Sequence, residues 1–401
     1  MATFEEMGIR HERVRFSIPT RELERRWKAV RAVMEQKGVD LIVARNDNQW
    51  LGGYIRWFTD VSAQHGYPIT MFFPRNDEMT LISHGAPPLP PAPPSYSLRG
   101  VKDRIPVPYM CTLNYTYRLE VEAAAKLIRA RGDKRIGFVN LGTMSYPFVA
   151  GLKEALSGVE WVDFTDEIDA IKAIKSEDEM VYIRRTIHLQ DIVCDALPAI
   201  VRPGVYEYEI RQAIVQILEM HGGEEQLFSM SSGPVGTFAG HTWVQFQNRR
   251  LDKGDILFIM IEVNGPGGVY GELGRTWALG EPDKGLLDFW DIALEGQKLV
   301  AGLSKPGVMP ATILDTYNEY LASKGFPKEN RLLAHGQGYD LVERPAYVPS
   351  EKMPLQAGMN IAIHPTIMND KWYAFCCDNY YIGENGAELM HKTPQEIIVI
   401  D

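Results

Sequence analysis

The chain is poor in cysteine, with four in 401 residues: Cys111, Cys194, Cys376 and Cys377. No Cys-x-x-Cys spacing occurs among them, which excludes a zinc ribbon. Adjacent cysteines rarely bridge each other, and a chain this long needs no disulfide staples. Free thiols in a reducing compartment are therefore expected. No apolar run is long enough to span a bilayer, and the opening "MATFEEMGIRHERVRF" lacks the apolar centre of a secretory signal. Both absences point to the cytoplasm and away from a membrane. No basic patch interleaved with aromatics appears, and the net charge of −10 is spread along the chain in both signs. Nucleic acid is thus not the expected partner.

What remains is the composition of an ordinary globular protein, 45% hydrophobic and 23% charged. Its length exceeds what one core comfortably serves, so two domains are expected, 1–165 and 166–401. In the first, "TRELERRWKAVRAVMEQK" (20–37) carries Leu23, Trp27, Val30, Val33 and Met34 at helical spacing and stops at Gly38. Short apolar runs at 40–44, 69–74, 79–83 and 135–140 read as strands. Helices near 118–131 and 146–157 complete an α/β unit. "PPLPPAPP" (87–94) reads as a stiff polyproline-like loop, because proline lacks the N–H and fixes φ. A long helix is expected to run to about residue 200.

The second part contains an internal repeat. "RPGVYEYEIRQAIVQILEMHGG" from Arg202 returns, shifted by 103 residues, as "KPGVMPATILDTYNEYLASKGF" from Lys305. Pro203-Gly204-Val205 falls on Pro306-Gly307-Val308, Ile210 on Ile313, Leu218 on Leu321 and Gly222 on Gly325. Each copy is a turn, an amphipathic helix and a glycine stop, followed by a histidine-bearing segment and a glycine-initiated strand: "KGDILFIMIEV" (253–263) and "AGMNIAIHPTI" (357–367). Aligning Gly254 with Gly358 sets Met260 opposite His364. Two related halves would bring these strands together across a pseudo-twofold axis, lining one cleft.

Glu262 lies two residues after Met260, and residues two apart on a strand share a face. Glu272 follows the glycine-rich turn "NGPGG" (264–268) and is placed on the returning strand of a hairpin. Cys377 and Asp378 occupy the matching hairpin of the second half. His241 and His335 are flanked by glycines, which suit irregular backbone beside a ligand. The other histidines, His11, His65, His84, His188, His221 and His391, are read as structural, and Cys376 as a small buried apolar residue.

At these residues the chain resembles the creatinase/aminopeptidase P/methionine aminopeptidase family, M24, of pita-bread fold. The matching pieces are "KSEDEMVYIRR" (175–185), "KGDILF" (253–258), "GELGRTW" (271–277), "KPGV" (305–308), "HGQGYDLVERP" (335–345), "QAGMNIAIHP" (356–365) and "DNYYIGENGAELM" (378–390). The resemblance implies an α/β (α+β) protein with a creatinase-type N-terminal domain and a C-terminal pita-bread domain. The family's peptidases bind two metal ions with Asp, Asp, His, Glu and Glu. By the resemblance those positions are here Met260, Glu272, His335, His364 and Cys377, with Asp378 beside the last and Glu262 two residues after the first. DMSP lyases of this fold resemble that spacing. The second histidine of the "HGxGxxxHExP" pattern is Val342. A standard dinuclear metallopeptidase is therefore not expected.

Three readings follow. In the first, the protein is a creatinase-like enzyme without metal that cleaves a C–N bond of a small organic molecule by hydrolysis or elimination. The resemblance places creatinase's histidine at His241, which would be the general acid/base, with a pKa near the working pH. Glu262 and Glu272 would then act on the substrate or on water, and His335, His364, Arg275 and Tyr270 would contact the substrate. Creatinase carries a Glu where this chain has Gly274, so creatine is not implied. In the second reading one Zn, Fe or Mn ion draws on Glu262, Glu272, His335, His364 and Cys377 and serves a mononuclear hydrolase or lyase. The third is a non-catalytic binding protein, which an exposed apolar patch away from the cleft would favour. A homodimer is expected from the two-domain layout, the resemblance to creatinase and the aromatic- and proline-rich segment 87–117.

Overall fold

A computed structural model describes residues 16–46, 48, 51–85, 98–108, 113 and 117–400. The polyproline-like stretch 87–94 and Cys111 lie outside the described residues. The other three cysteines are buried free thiols. The chain forms two compact units, Met1–Lys172 and Ala173–Asp401, against an expected boundary at 165. The difference is one short helix, Thr165–Lys172, whose buried Ile168 belongs to the first unit.

The first unit opens with α1 (Thr20–Lys37), which buries Leu23, Trp27, Val30 and Met34 along one stripe. It ends where expected because Gly38 takes a φ of +67°, a conformation that costs a Cβ-bearing residue strain. Six strands follow: β1 (Leu41–Asn46), β2 (Ile69–Pro74), β3 (Met79–His84), β4 (Val101–Val107), β5 (Arg135–Val139) and β6 (Glu160–Asp163). They form a mixed sheet in the order β4-β3-β2-β1-β5-β6. Apolar runs predicted the four central strands. The two edge strands are half-exposed, carry no such run and escaped notice. Helices α2 (Gly53–Thr59), α3 (Tyr117–Arg131), α4 (Tyr146–Ala155) and α5 (Thr165–Lys172) complete the unit.

The second unit starts with α6 (Glu177–Ile200), held at its N-terminus by a reciprocal capping box between Ser176 and Glu179. The repeat is realised in three dimensions. Helix α7 (Glu207–Met220) recurs at the same offset as α9 (Pro310–Ser323), with the long α8 (Lys284–Leu303) between them. The paired glycines 204/307 and 222/325 all have positive φ, so the shared residues mark turns that only glycine makes cheaply.

Strands β7 (Glu225–Pro234), β8 (Asp255–Asn264) and β9 (Tyr270–Ala278) form an antiparallel meander. The second half supplies β10 (Ala334–Gly336), β11 (Glu343–Ala346), β12 (Asn360–Ile363), β13 (Thr366–Met368), β14 (Tyr373–Phe375), β15 (Asp378–Gly383) and β16 (Gly386–Leu389), and β17 (Ile398–Val399) edges the meander. The two sheets, β17-β9-β8-β7 and β11-β10-β12-β15-β16, are tied by a bridge in which Gly274 and Cys377 exchange both backbone hydrogen bonds, at 3.2 and 3.3 Å. Alternation sorts β8. Leu257, Ile259, Ile261 and Val263 join the core with α6 and α7, while Phe258, Met260 and Glu262 face the other way. Each core side chain contributes about 1.5–3 kcal/mol on burial, which lets the opposite face carry polar groups.

Candidate functional site

The β8–β9 register sets Glu262 directly opposite Glu272 and Met260 opposite Gly274. The hairpin thus forces two buried carboxylates, 6% and 4% exposed, onto one face. His335 reaches the same place from β10 and His364 from the residue after β12. Glu272, His335 and His364 are all buried, and one ligand atom from each lies within 4.8 Å of the others.

The protonation pattern suits a cation. His335 donates Nδ1–H to the Gly336 carbonyl at 2.8 Å, because that oxygen can only accept. Its Nε2 faces Glu272 Oε2 at 3.5 Å. The His364 ring packs on Phe375 and meets His335 at 5.1 Å between centroids. Burial, offset by Glu272, lowers its pKa to about 4, so it is neutral. Its Nδ1 is buried without a hydrogen-bond partner. Burial pushes the Glu272 carboxyl up, but His364, then His335, outweigh it and hold it down at about 2. Glu262 goes the other way. Burial, then the facing Glu272 charge, raises it well above the usual carboxylate range. Two carboxylates this close cannot both ionise, and the proton sits on Glu262.

Gln337, which was not visible in the sequence, holds the Glu262 carboxyl in place and offsets part of that rise. Its Nε2 donates to Glu262 Oε1 at 3.0 Å, while its own Oε1 accepts from Asn379 Nδ2 at 2.9 Å. Asn379 Oδ1 accepts the Glu272 backbone N–H at 2.7 Å and so couples the two halves. Such amides bear no motif of their own, and only the fold shows what they join.

His241 lies outside the group of three. It is solvent-exposed and edge-on to Phe258, Tyr373 and Phe375, with centroids 5.0, 5.7 and 5.0 Å away. Desolvation by these rings lowers its pKa to about 4, rather than near neutrality as expected. It helps line a cavity of about 400 Å³ with Leu227, Phe228, Ser229, Thr242, Trp243 and Met260.

Four further expectations are corrected. Arg275 does not face substrate. It is fully buried, with Nη2 on Asp378 Oδ1 at 2.7 Å and other bonds to the carbonyls of Gly274, Cys377, Thr393 and Pro394. Odd positions of β9 point away from the Glu272 face. Tyr270 is 0% exposed and offers no surface to a ligand. Cys377 stands outside the group of three. Its thiol donates to the Glu272 carbonyl at 3.6 Å, and burial beside carboxylates raises its pKa well above the ordinary value. Glu262 stands outside the group of three as a neutral partner of Gln337.

The fit of two ions can be tested on the other half of the cleft. Met260, Phe258, Tyr373, Phe375 and Cys377 form one apolar cluster there. A Cβ at Gly274 would come within 2.4 Å of the Phe375 ring, so the glycine is what admits the ring. A second divalent ion would find no carboxylate in that cluster. The group of three offers donors for one ion.

A family model described as metallopeptidase family M24 matches residues 181–389, slightly more than half of the chain. The chain is 26% identical over 270 residues to a protein named Xaa-Pro dipeptidase from Pyrococcus furiosus, a match spanning 64% of this chain and 74% of that one. It is 27% identical over 252 residues to a probable dipeptidase PepE of Mycobacterium bovis, spanning 62% and 66%. Among solved structures, an X-Pro aminopeptidase from Thermotoga maritima superposes with a TM-score of 0.78 at 17% identity, covering 93% of this chain and 99% of that one. Dipeptidase PepE from Mycobacterium ulcerans gives 0.75 at 22% identity, covering 96% and 99%. At those identities the likeness speaks for the fold, an α/β two-domain architecture with a pita-bread C-terminal part.

Proposed function

The chain belongs to metallopeptidase family M24, and from that premise we propose that it is a hydrolase holding one divalent ion on Glu272, His335 and His364 and cleaving a C–N bond, an amide, in a small substrate. The observation that carries this is the buried group of three, with one ligand atom from each within 4.8 Å of the others. Two imidazoles and a carboxylate suit Zn, Fe or Mn. Such an ion, when bound, supplies a Lewis acid and lowers the pKa of water.

The protein's own groups do the rest. Glu262 keeps a proton beside the ionised Glu272, available to a departing nitrogen. Gln337 holds that carboxyl in place. The apolar wall of Phe258, Met260 and Phe375 excludes water from one side of the cleft. His241, neutral at the cavity, is a polar contact for substrate in this reading. The metal-free, creatinase-like reading is less well supported, since His241 stands outside the group of three and the relatives bear peptidase names. The binding-protein reading is also less well supported. The exposed apolar side chains of 235–246, such as Trp243 and Phe246, belong to the loop that lines the cavity rather than to a distant patch.

Elemental analysis of protein purified without added metal tests the proposal. One equivalent per chain is expected, and excess Mn, Co or Zn should not raise it to two. Absence of any ion with undiminished turnover, or two tightly held equivalents, would sink it. A homodimer and a cytoplasmic location stay part of the proposal. No helix among the described residues is long and apolar enough to cross a membrane. Light scattering at micromolar concentration should give twice the chain mass, and a monomer would remove the dimer.

A further inference from the structure

The first unit holds a cavity for which the proposed reaction has no use. It measures about 280 Å³ and is lined by the connection 61–68 and by one face of the sheet, where Ile69, Leu81, Ser83 and Arg104 meet. The strand register explains the set. Ser83 pairs with Ile69 of β2, and Leu81, two residues before Ser83, pairs with Arg104 of β4. Paired residues, and residues two apart, share a face, so these four side chains project together. Tyr67 and Leu98 add to the wall.

Arg104 is out of keeping with its strand. β4 is an edge of the sheet, and exposed charges on an edge keep other chains from pairing there. Lys102 and Asp103 are exposed and serve that purpose, and Lys102 is ion-paired with Asp77. Arg104 is instead half-buried and lines the cavity, where it makes no hydrogen bond or ion pair with a described residue. The other polar groups of the wall are taken. His84 donates Nδ1–H to the Pro68 carbonyl at 2.9 Å and turns Nε2 towards Glu120 at 3.7 Å. Glu120 is itself held by Arg45 at 2.9 and 3.0 Å and by Thr70. Ser62 accepts from Arg56 at 2.6 Å. The Ser83 hydroxyl, in contrast, is buried with no hydrogen-bond partner. A half-buried guanidinium and a buried hydroxyl left over in one wall call for an acceptor.

We propose that this cavity binds a small monocarboxylate with an apolar body, the carboxylate on Arg104 and the body against Ile69, Leu81 and Leu98. A guanidinium fork matches a planar carboxylate. Arg104 is the one arginine or lysine among the described lining residues, so it answers a single negative charge. A phosphate dianion would bring a second charge that these residues leave unanswered. The volume lies just under the range of about 300–1,000 Å³ usual for small-molecule sites, which keeps the ligand small. The site belongs to the first unit and shares no residue with Glu272, His335 and His364, so it goes beyond the hydrolase reading and does not depend on it.

The test is calorimetric titration of the full chain, stripped of metal by chelation and dialysed, with phenylacetate, phenylacetamide, acetate and inorganic phosphate. Phenylacetate is expected to bind about 10–100-fold more tightly than its amide, the range of a hydrogen-bonded charge. It should bind at least about 10-fold more tightly than acetate, which has no apolar body to bury. Arg104→Met should bring the acid-to-amide ratio to about one, and Arg104→Lys should restore part of it. Ser83→Leu, which narrows the cavity, should weaken acid and amide alike by about 10-fold or more, so the place is tested even where Arg104→Met fails to fold. Equal affinity for acid and amide in the wild type, or no binding of phenylacetate below about 10 mM, overturns the site. An arginine that only guards the sheet edge would leave the ratio unchanged in Arg104→Met, which also overturns it. Phosphate bound as tightly as phenylacetate would overturn the ligand class.

Discussion

Glu272→Ala is expected to remove bound metal and activity together, and His335→Ala to do the same. Each deletes one of only three donors, where even the outer partners of a ligand cost about 10–100-fold in affinity. A loss of at least about 100-fold is therefore expected, read by competition with a chromogenic chelator. Thermal unfolding gives an independent measure. An ion present at 100 times its dissociation constant adds about 2.7 kcal/mol, which for a unit of this size is roughly 5–10 °C. That increment should vanish on chelation of the wild type and be missing in both variants. His241→Ala should keep the ion and the increment, because its ring is outside the group of three. A Glu272→Ala protein that retained an equivalent of metal, or a chelated wild type with full turnover, would refute this site.

Arg275→Met should damage folding rather than substrate affinity. Arg275 and Asp378 are a fully buried pair, and the guanidinium also binds four carbonyls. Removing one member of such a pair costs about 3–5 kcal/mol, because the other is left charged in the interior. Methionine fills part of the volume but answers none of the five acceptors. Burial alone would raise Asp378, but Arg275, with His391, holds it far below its ordinary value of 3.8. The sign follows. The pair stabilises the fold fully above that ordinary value, and its contribution fades only as strong acid protonates Asp378. In Arg275→Met burial is left to raise Asp378, whose protonation in mild acid relieves part of the penalty, so the gap between wild type and variant in urea melts should narrow as pH falls. A variant with an unchanged midpoint and a raised KM would restore the substrate role that the sequence suggested.

That misassignment shows where the sequence stops being informative. "GELGRTW" marks Glu272 and Arg275 with equal clarity, but alternation along β9 sends them to opposite faces, and only Glu272 shares its face with Glu262. The hairpin, the repeat and the glycine turns were legible because each rests on local backbone requirements. Glu272, His335 and His364 were legible as residue types at repeat-related places. Their separation from Glu262 and Cys377 was not, since it depends on where Gln337 and the Cys377 thiol point. The sequence singled out His241 as an acid/base but could not foresee that burial among aromatic rings would depress its basicity. Arg104 carried no motif, and the edge strands β4 and β6 no apolar run.

The bridge between Gly274 and Cys377 also bears on the order in which the molecule can be built. The carboxylates arrive on a hairpin whose own pairing is local. Their partners lie far along the chain, with Gln337 75 residues beyond Glu262 and Asn379 107 beyond Glu272. Contacts of such separation carry the full cost of closing long loops, and they form late. Until the second half docks, Glu262 and Glu272 face water, where both can ionise and neither selects a cation. The group of three proposed to hold the ion is therefore completed at the last step of assembly, when the seam closes and removes the solvent.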